Sequence, residues 1–355
     1  MRKILYFIIF LLLAASLSAQ QKSSLVYPKA DQVLQDTNVR LQWDAAPDDS
    51  LYQITLATDS LFQNKLISGD STSLNYLSLS LNMNYSYYWY VQYNSSNQYT
   101  DTFSFSTKTP LVIDSVKLWL APEQGVVKDS NDRVSAWLNL IDSSLSFTQP
   151  AINKQPVFKD TSVYSLNSSI QFDGINDFLN GGDILDLNYN DRSVFIIGKS
   201  NSATGAFIAK SVAAGQVNRY SVFLSGSNFR LLYHDGVGNR MPSFPYSYGE
   251  FDLLSGVTNR NSSTNSLFIN GVNVKDINNI SDYTYYFNST FRFLIGAYNN
   301  SSDNSELNHL NGNIAEILMI DDTLTVNEKK FVNKYFSDKY TPPTNLGPNI
   351  VRSHS

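Results

Sequence analysis

Between residues 24 and 107, apolar and polar positions alternate in short runs. Val39-Arg40-Leu41-Gln42-Trp43, Tyr52-Gln53-Ile54-Thr55-Leu56, Leu77-Ser78-Leu79-Ser80-Leu81, Tyr87-Tyr88-Trp89-Tyr90-Val91 and Phe103-Ser104-Phe105 all repeat with period two. That is the spacing of a strand with one face buried and one in water. Asp, Asn, Ser and Gly punctuate the runs, which is turn chemistry. The pattern predicts a small antiparallel sandwich over 24–108. Lys108-Thr109-Pro110-Leu111 marks a boundary, and a larger pattern begins near Asp114. It predicts strands at 115–120, 169–172, 194–198, 207–210, 220–224, 229–233, 267–269, 291–296 and 315–320, with almost no helical period. A large sandwich over 114–340 accommodates them. One clear helix comes last: Thr325-Val326-Asn327-Glu328 fits a capping box, and Val332, Tyr335 and Phe336 then share one face.

Both chain ends read differently. Arg2 and Lys3 precede an apolar run from Ile4 to Ala15, followed by small residues up to Ala19. This is the layout of a secretory signal peptide, expected at 1–19. The run falls short of the roughly 20 residues that cross a bilayer, so no membrane span is expected in the mature chain, which should be secreted or at the cell surface. At the other end, Thr341-Pro342-Pro343-Thr344-Asn345-Leu346-Gly347-Pro348 has linker composition. The expectation for 341–355 is an interdomain linker leading to a further module, or a disordered tail.

Composition narrows the chemistry. Of 355 residues 42% are hydrophobic and 16% charged, enough apolar material for two cores. A formal charge of -5 is the wrong sign for neutralising phosphates, which excludes nucleic acid as a partner class. There is no cysteine, which removes disulfides, thiolate nucleophiles and Cys-ligated metals together. An exported protein without disulfides points to a bacterial rather than an animal source.

The landmarks of the first region, Pro28, Leu41-x-Trp43, Tyr52-x-Ile54 and Tyr88-Trp89-Tyr90-Val91, resemble a fibronectin type III module. Those of the second are more specific. Leu118-Trp119-Leu120, Val134-Ser135-Ala136-Trp137, Ile170-Gln171-Phe172-Asp173-Gly174-Ile175-Asn176-Asp177-Phe178-Leu179, Ser266-Leu267-Phe268-Ile269-Asn270-Gly271, Phe293-Leu294-Ile295-Gly296 and Gly312-Asn313-Ile314-Ala315-Glu316-Ile317 occur in this order. They resemble laminin G-like, concanavalin A-like jelly-roll domains of bacterial secreted proteins. The resemblance implies an all-β chain: a small fibronectin type III-like sandwich, then a large jelly-roll with one C-terminal helix. Ala121-Pro122-Glu123 stands where such domains often carry an Asp-rich turn, which removes the basis for any ion site that depends on that turn.

Catalytic patterns are sparse. Retaining glycosidases need two carboxyl groups about 5 to 5.5 Å apart, and Glu250-Phe251-Asp252 supplies only half of the alternating pattern that places such a pair on one strand face, because Leu253, Leu254 and Ser255 follow. Both acids are expected to be solvated charges at a loop or strand end. His234, His309 and His354 are too dispersed for a local metal motif. No nucleophile elbow or phosphate loop occurs. Trp43 and Trp89 read as core residues. Asp173-Gly174-Ile175-Asn176-Asp177 reads first as a turn whose carboxylates bond their own backbone; the alternative is calcium held by Asp173, Asp177 and Asp183, with Asp186 near. No other cofactor is expected. Glu316 lies among apolar strand residues, where an inward charge needs a partner.

The expected function is a secreted, non-catalytic binding module for polysaccharide or another cell-surface polymer. Tyr283, Tyr285, Tyr298 and Asn299 are the candidate ligand-binding residues, since sugars take flat rings for stacking and planar amides for hydroxyls. Alternatives are an adhesive surface protein making protein contacts, or an accessory part of a glycoside hydrolase system. A polysaccharide panel should show no turnover; hydrolysis that disappears in Glu250→Ala would contradict this assignment.

Overall fold

A computed structural model describes residues 24–34, 37–45, 51–94, 98–160, 168–186, 191–211, 220–234, 239–259, 262–278, 290–300 and 302–340. The expected signal peptide at 1–19 and the tail at 341–355 lie outside them. The chain divides into two compact units, Met1–Thr109 and Pro110–Ser355. The architecture is all-β, with one long helix at the C-terminal end.

In the first unit, strands Leu25–Tyr27, Asn38–Trp43 and Tyr76–Ser80 form one sheet. Phe103–Ser106, Ser86–Tyr93, Tyr52–Ala57 and Lys65–Thr72 run side by side in the other, extended by the short strands Gln32–Val33 and Gln98–Tyr99. Alternation decides which side chains meet. Tyr87, Trp89, Val91 and Tyr93 all point inward, against Leu41 and Trp43 of the opposite sheet. Trp43 and Trp89 are fully buried, 6.4 Å apart between ring centroids, and so lie in the core.

In the second unit an eight-stranded sheet runs Val157–Lys159, Ser169–Asp173, Asn311–Ile320, Arg192–Ser200, Asp252–Asn259, Thr264–Ile269, Val272–Asn278, with Val116–Leu120 also paired to Asn311–Ile320. A ten-stranded sheet faces it, carrying Val134–Trp137, Phe293–Ile295, Gly205–Lys210, Tyr220–Leu224 and Asn228–His234. Their shared core joins Phe172, Ile196, Leu254 and Ile317 from the first sheet with Trp137, Phe207, Phe229 and Phe293 from the second.

Asp252–Asn259 was not among the expected strands. It pairs on both sides, and its first seven residues are buried, so its sequence carries no alternation. Gly256 is required there, because a Cβ would stand 2.6 Å from Leu231 of the facing sheet. Asn270 and Gly271 close the next hairpin with φ of 52° and 78°, the left-handed pair that a two-residue turn demands. Each unit has a sheet that ends on a largely exposed strand, Lys65–Thr72 in the first and Val272–Asn278 in the second.

Helix Val326–Tyr340 packs on the outer side of the eight-stranded sheet. Thr325 and Glu328 form the capping box: the Glu328 carboxylate accepts from the Thr325 N–H at 2.8 Å, and Thr325 Oγ1 accepts from the Glu328 N–H at 3.3 Å. Val332, Tyr335 and Phe336 are buried, with Phe336 stacked on Phe195. The decisive contact is Glu316, which is wholly buried. Its carboxylate accepts from Trp119 Nε1 at 2.7 Å, Tyr335 Oη at 2.8 Å, Tyr340 Oη at 2.6 Å and Lys339 Nζ at 2.7 Å. Lys339 also pairs with Glu123, from the short helix Pro122–Gly125.

Burial pulls the Lys339 ammonium down, but Glu316 and Glu123 outweigh it and leave it above the ordinary lysine range. Burial, reinforced by Glu316, pushes the Tyr335 and Tyr340 phenols well up. All three donors therefore keep their protons when folded at a pH where the unfolded chain begins to release them, so stability is full below about pH 10 and falls as pH rises past it. Urea unfolding between pH 8 and 11 should show that decline. Glu316→Gln leaves an amide facing four donors and deprives Lys339 of one carboxylate. It should cost about 3 to 5 kcal/mol, read as a calorimetric midpoint on the order of 10 °C lower for the second unit.

Candidate functional site

Tyr283 and Tyr285 lie outside the described residues. Tyr298 and Asn299 do not form a sugar platform, because both are buried. The Tyr298 hydroxyl shares a 2.6 Å hydrogen bond with Ser211 Oγ, and its ring meets Phe223 edge-on at 6.0 Å. Asn299 is 0% exposed, and its Nδ2 donates to the Arg292 carbonyl at 2.7 Å. Arg292 is itself held by Asp303 and Glu306. These residues fasten the short hairpin Tyr298–Asn299 and Glu306–Leu307.

The calcium alternative meets an arrangement already satisfied from within. Asp173 Oδ1 accepts from the backbone N–H groups of Ile175, Asn176 and Asp177 at 2.8, 3.0 and 3.2 Å. Burial pushes the Asp173 carboxyl up, yet these donors outweigh it and hold it below the ordinary range. Asp177 Oδ2 accepts from the Asp173 N–H at 3.0 Å. Its burial, with the Asp173 charge beside it, pushes Asp177 up to about 6. Asp183 is elsewhere engaged: Lys210, 1% exposed, donates to Asp183 Oδ1 at 2.7 Å and pairs with Asp186 at 3.1 Å. The charge meeting that acidic turn is an ammonium from the neighbouring strand. Among the described residues, no three His, Asp or Glu side chains are placed to hold a metal ion.

Asp252 is not a solvated charge. It is 7% exposed and accepts from Tyr246 Oη at 2.8 Å and Asn270 Nδ2 at 2.7 Å. Burial, with Asp252 beside it, pushes the Tyr246 phenol up, so it stays a donor. Hydrogen bonding makes Asp252 part of the Asn270-Gly271 hairpin. His309 Nδ1 lies 3.2 Å from the Asp177 carbonyl.

What sequence reasoning missed is the face of the ten-stranded sheet turned away from the core. A bulge between Ala206 and Ile208 sends Phe207 and Ile208 both inward and leaves Ala206 and Ala209 on the other side. There Ala206, Ala209, Leu232 and Tyr298 form a second cluster, with Phe223, Met241 and Leu307 packed against it. Arg230 stands at its border, opposite Phe223 on one neighbouring strand and Ser243 on the other. Four cations of this unit have acid partners: Arg192 pairs with Asp321, Lys210 with Asp183 and Asp186, Arg292 with Asp303 and Glu306, and Lys339 with Glu123 and Glu316. Arg230 has none among the described residues, and its Nε is buried without an acceptor. Ser221, the diagonal neighbour on the same face, buries its Oγ equally unpartnered. The signal was present in alternation alone, since Phe229 and Leu231 face the core and place Arg230 opposite.

No family model matches the chain, and no curated protein matches it. Among solved structures it is similar to NanB sialidase from Streptococcus pneumoniae at 20% identity, over 45% of this chain and 26% of that one, with a TM-score of 0.37. The Ruminococcus gnavus IT-sialidase CBM40 bound to α2,3 sialyllactose gives 13% identity over 50% and 97%, with a TM-score of 0.35. The botulinum neurotoxin serotype D binding domain gives 14% over 63% and 51%, with a TM-score of 0.41. The chain spans about a quarter of the length of the NanB chains it matches. Similarity at this level does not extend to ligand or activity.

Proposed function

We propose that the chain is a non-catalytic glycan-binding protein whose larger unit takes an acidic sugar, with a carboxylate or sulfate group closing on Arg230. The observation that carries this is the half-buried guanidinium without an acid partner among the described residues. A buried donor left unmade costs free energy, and an anion presenting two oxygens on one centre, as carboxylate and sulfate do, satisfies a guanidinium in two parallel hydrogen bonds. Phe223, half-buried beside it, offers a ring for the apolar face of the sugar. Carboxylates that could serve hydrolysis are engaged structurally: Glu316 by four donors, Asp252 by Tyr246 and Asn270, and Glu306 by Arg292.

The finer fold assignments belong to the same proposal. The first unit is a fibronectin type III-like module, supported by its seven long strands dividing as first, second and fifth against seventh, sixth, third and fourth. The second is a laminin G-like jelly-roll, supported by its two large facing sheets and closing helix. Export rests on the Arg2-Lys3 charge and apolar run at the N-terminus.

A glycan array probed with the purified chain should retain carboxylated or sulfated glycans over their neutral parents. Arg230→Gln should weaken that retention by about 10- to 100-fold, the loss of a charge-assisted pair, without moving the unfolding midpoint. Equal retention by Arg230→Gln, or no acidic glycan bound at all, would overturn the assignment.

A further inference from the structure

A different surface lies on the smaller unit, on the outward side of its larger sheet. Strand Ser86–Tyr93 alternates strictly: while Tyr87, Trp89, Val91 and Tyr93 fill the core, Tyr88, Tyr90 and Gln92 point away from it. Register continues that face sideways. Tyr90 lies opposite Thr55, and Gln92 opposite Gln53 on one side and Tyr99 on the other. Tyr99 is 50% exposed.

The rings touch. Tyr90 meets Phe62 edge-on at 4.9 Å and Tyr99 edge-on at 5.7 Å, which makes a continuous strip of three aromatic side chains across the sheet. Phe62 reaches it from a turn outside the strands, with a left-handed φ of 56°. Bulky residues rarely adopt that conformation. Asp59 enforces the turn by accepting from the N–H groups of Leu61 and Gln63 at Oδ1 and of Asn64 at Oδ2, at 3.0, 3.1 and 2.6 Å. The Phe62 ring contributes nothing to the core of the unit; it extends the row of rings.

We propose that this strip is a second carbohydrate surface, independent of Arg230, and that its occupant is an extended neutral polysaccharide chain. Sugar rings present a C–H face with a rim of hydroxyls, and the strip presents three aromatic rings, Tyr90 set edge-on between its two neighbours, edged by Tyr hydroxyls and the Gln53 and Gln92 amides. Charge weighs against an acidic occupant. The positions in register around Tyr90 and Gln92 are Thr55, Gln53 and Tyr99, all uncharged, and Lys65 stands only at the far end, opposite Ala57. An acidic glycan finds no counter-charge among them, and the rim of hydroxyls and amides suits a hydroxylated ligand better than an apolar protein face.

The test is native affinity electrophoresis of the full chain in gels containing β-glucan, xylan, galactomannan or starch. At least one of these neutral polymers should retard the protein. Tyr90→Ala combined with Tyr99→Ala should weaken that retention at least 10-fold, while Arg230→Gln leaves it unchanged. Phe62→Ser, at a turn outside the sheet, should weaken it independently and covers the case in which the double variant fails to fold. Failure of every polymer to retard the wild-type chain, or retention unaffected by both sets of variants, would refute the proposal. So would concentration-dependent self-association that the variants abolish in the absence of polymer retention, which would assign the strip to a second copy of the chain. Acidic-glycan binding lost in Arg230→Gln alone reads out the other site separately.

Discussion

A single carboxylate at the centre of a hydrophobic sheet sets the terms for the second unit. Burying an isolated charge in such surroundings costs several kcal/mol or more, so Glu316 is tolerable only with a complete set of donors. Those donors come from distant parts of the chain: Trp119 from the opening strand, 197 residues upstream, and Tyr335, Lys339 and Tyr340 from the closing helix. The position of the helix is thereby tied to a specific point on the strand beneath it. Apolar packing of Val332, Tyr335 and Phe336 holds the helix down; the carboxylate decides where. Trp119 shows the selectivity of this arrangement. Trp43, Trp89 and Trp137 bury their indole N–H without an acceptor among the described residues, whereas Trp119 has one.

The same electrostatic logic recurs wherever the larger unit buries a cation. Lys210 and Arg192 draw the turn at 183–186 onto the sheet: Lys210 binds Asp183, Asp186 and the Ile184 carbonyl, and Arg192 binds the carbonyls of Leu185 and Asp186. Internal ammonium and guanidinium groups thus satisfy the oxygens of that turn. Arg230, half-buried with its Nε unpartnered, has no acid to answer it among the described residues.

Legibility in the sequence followed solvent exposure. In the smaller unit Asn38–Trp43 and Ser86–Tyr93 alternate between a buried and a wetter face, so period two marked them nearly to the residue. The capping box at Thr325 and Glu328 was equally readable, because both partners lie three residues apart. Asp252–Asn259 was not, since neighbours on both sides and on both faces erase the periodicity. The candidate site failed for a related reason. Richness in Tyr and Asn near residue 298 reports composition, and composition does not say which side chains are covered; Tyr298 and Asn299 are buried against neighbouring residues, while Tyr90 and Arg230 lie on the faces of their strands away from the core, as alternation already said.

The exposed terminal strands carry a consequence for the molecule in crowded solution. An unpaired strand edge is a template on which another chain can add, and long flat apolar edges nucleate aggregates. Lys65–Thr72 spreads Lys65, Gly69 and Asp70 along its length and is bulged at two points of its pairing, while Val272–Asn278 carries Lys275 and Asp276 and a bulge of its own. A neighbouring chain approaching either edge must desolvate charge and match an irregular ladder. Two broad β-sheet proteins in one polypeptide, with no disulfide to restrain them, are in this way kept from polymerising through their own hydrogen bonds.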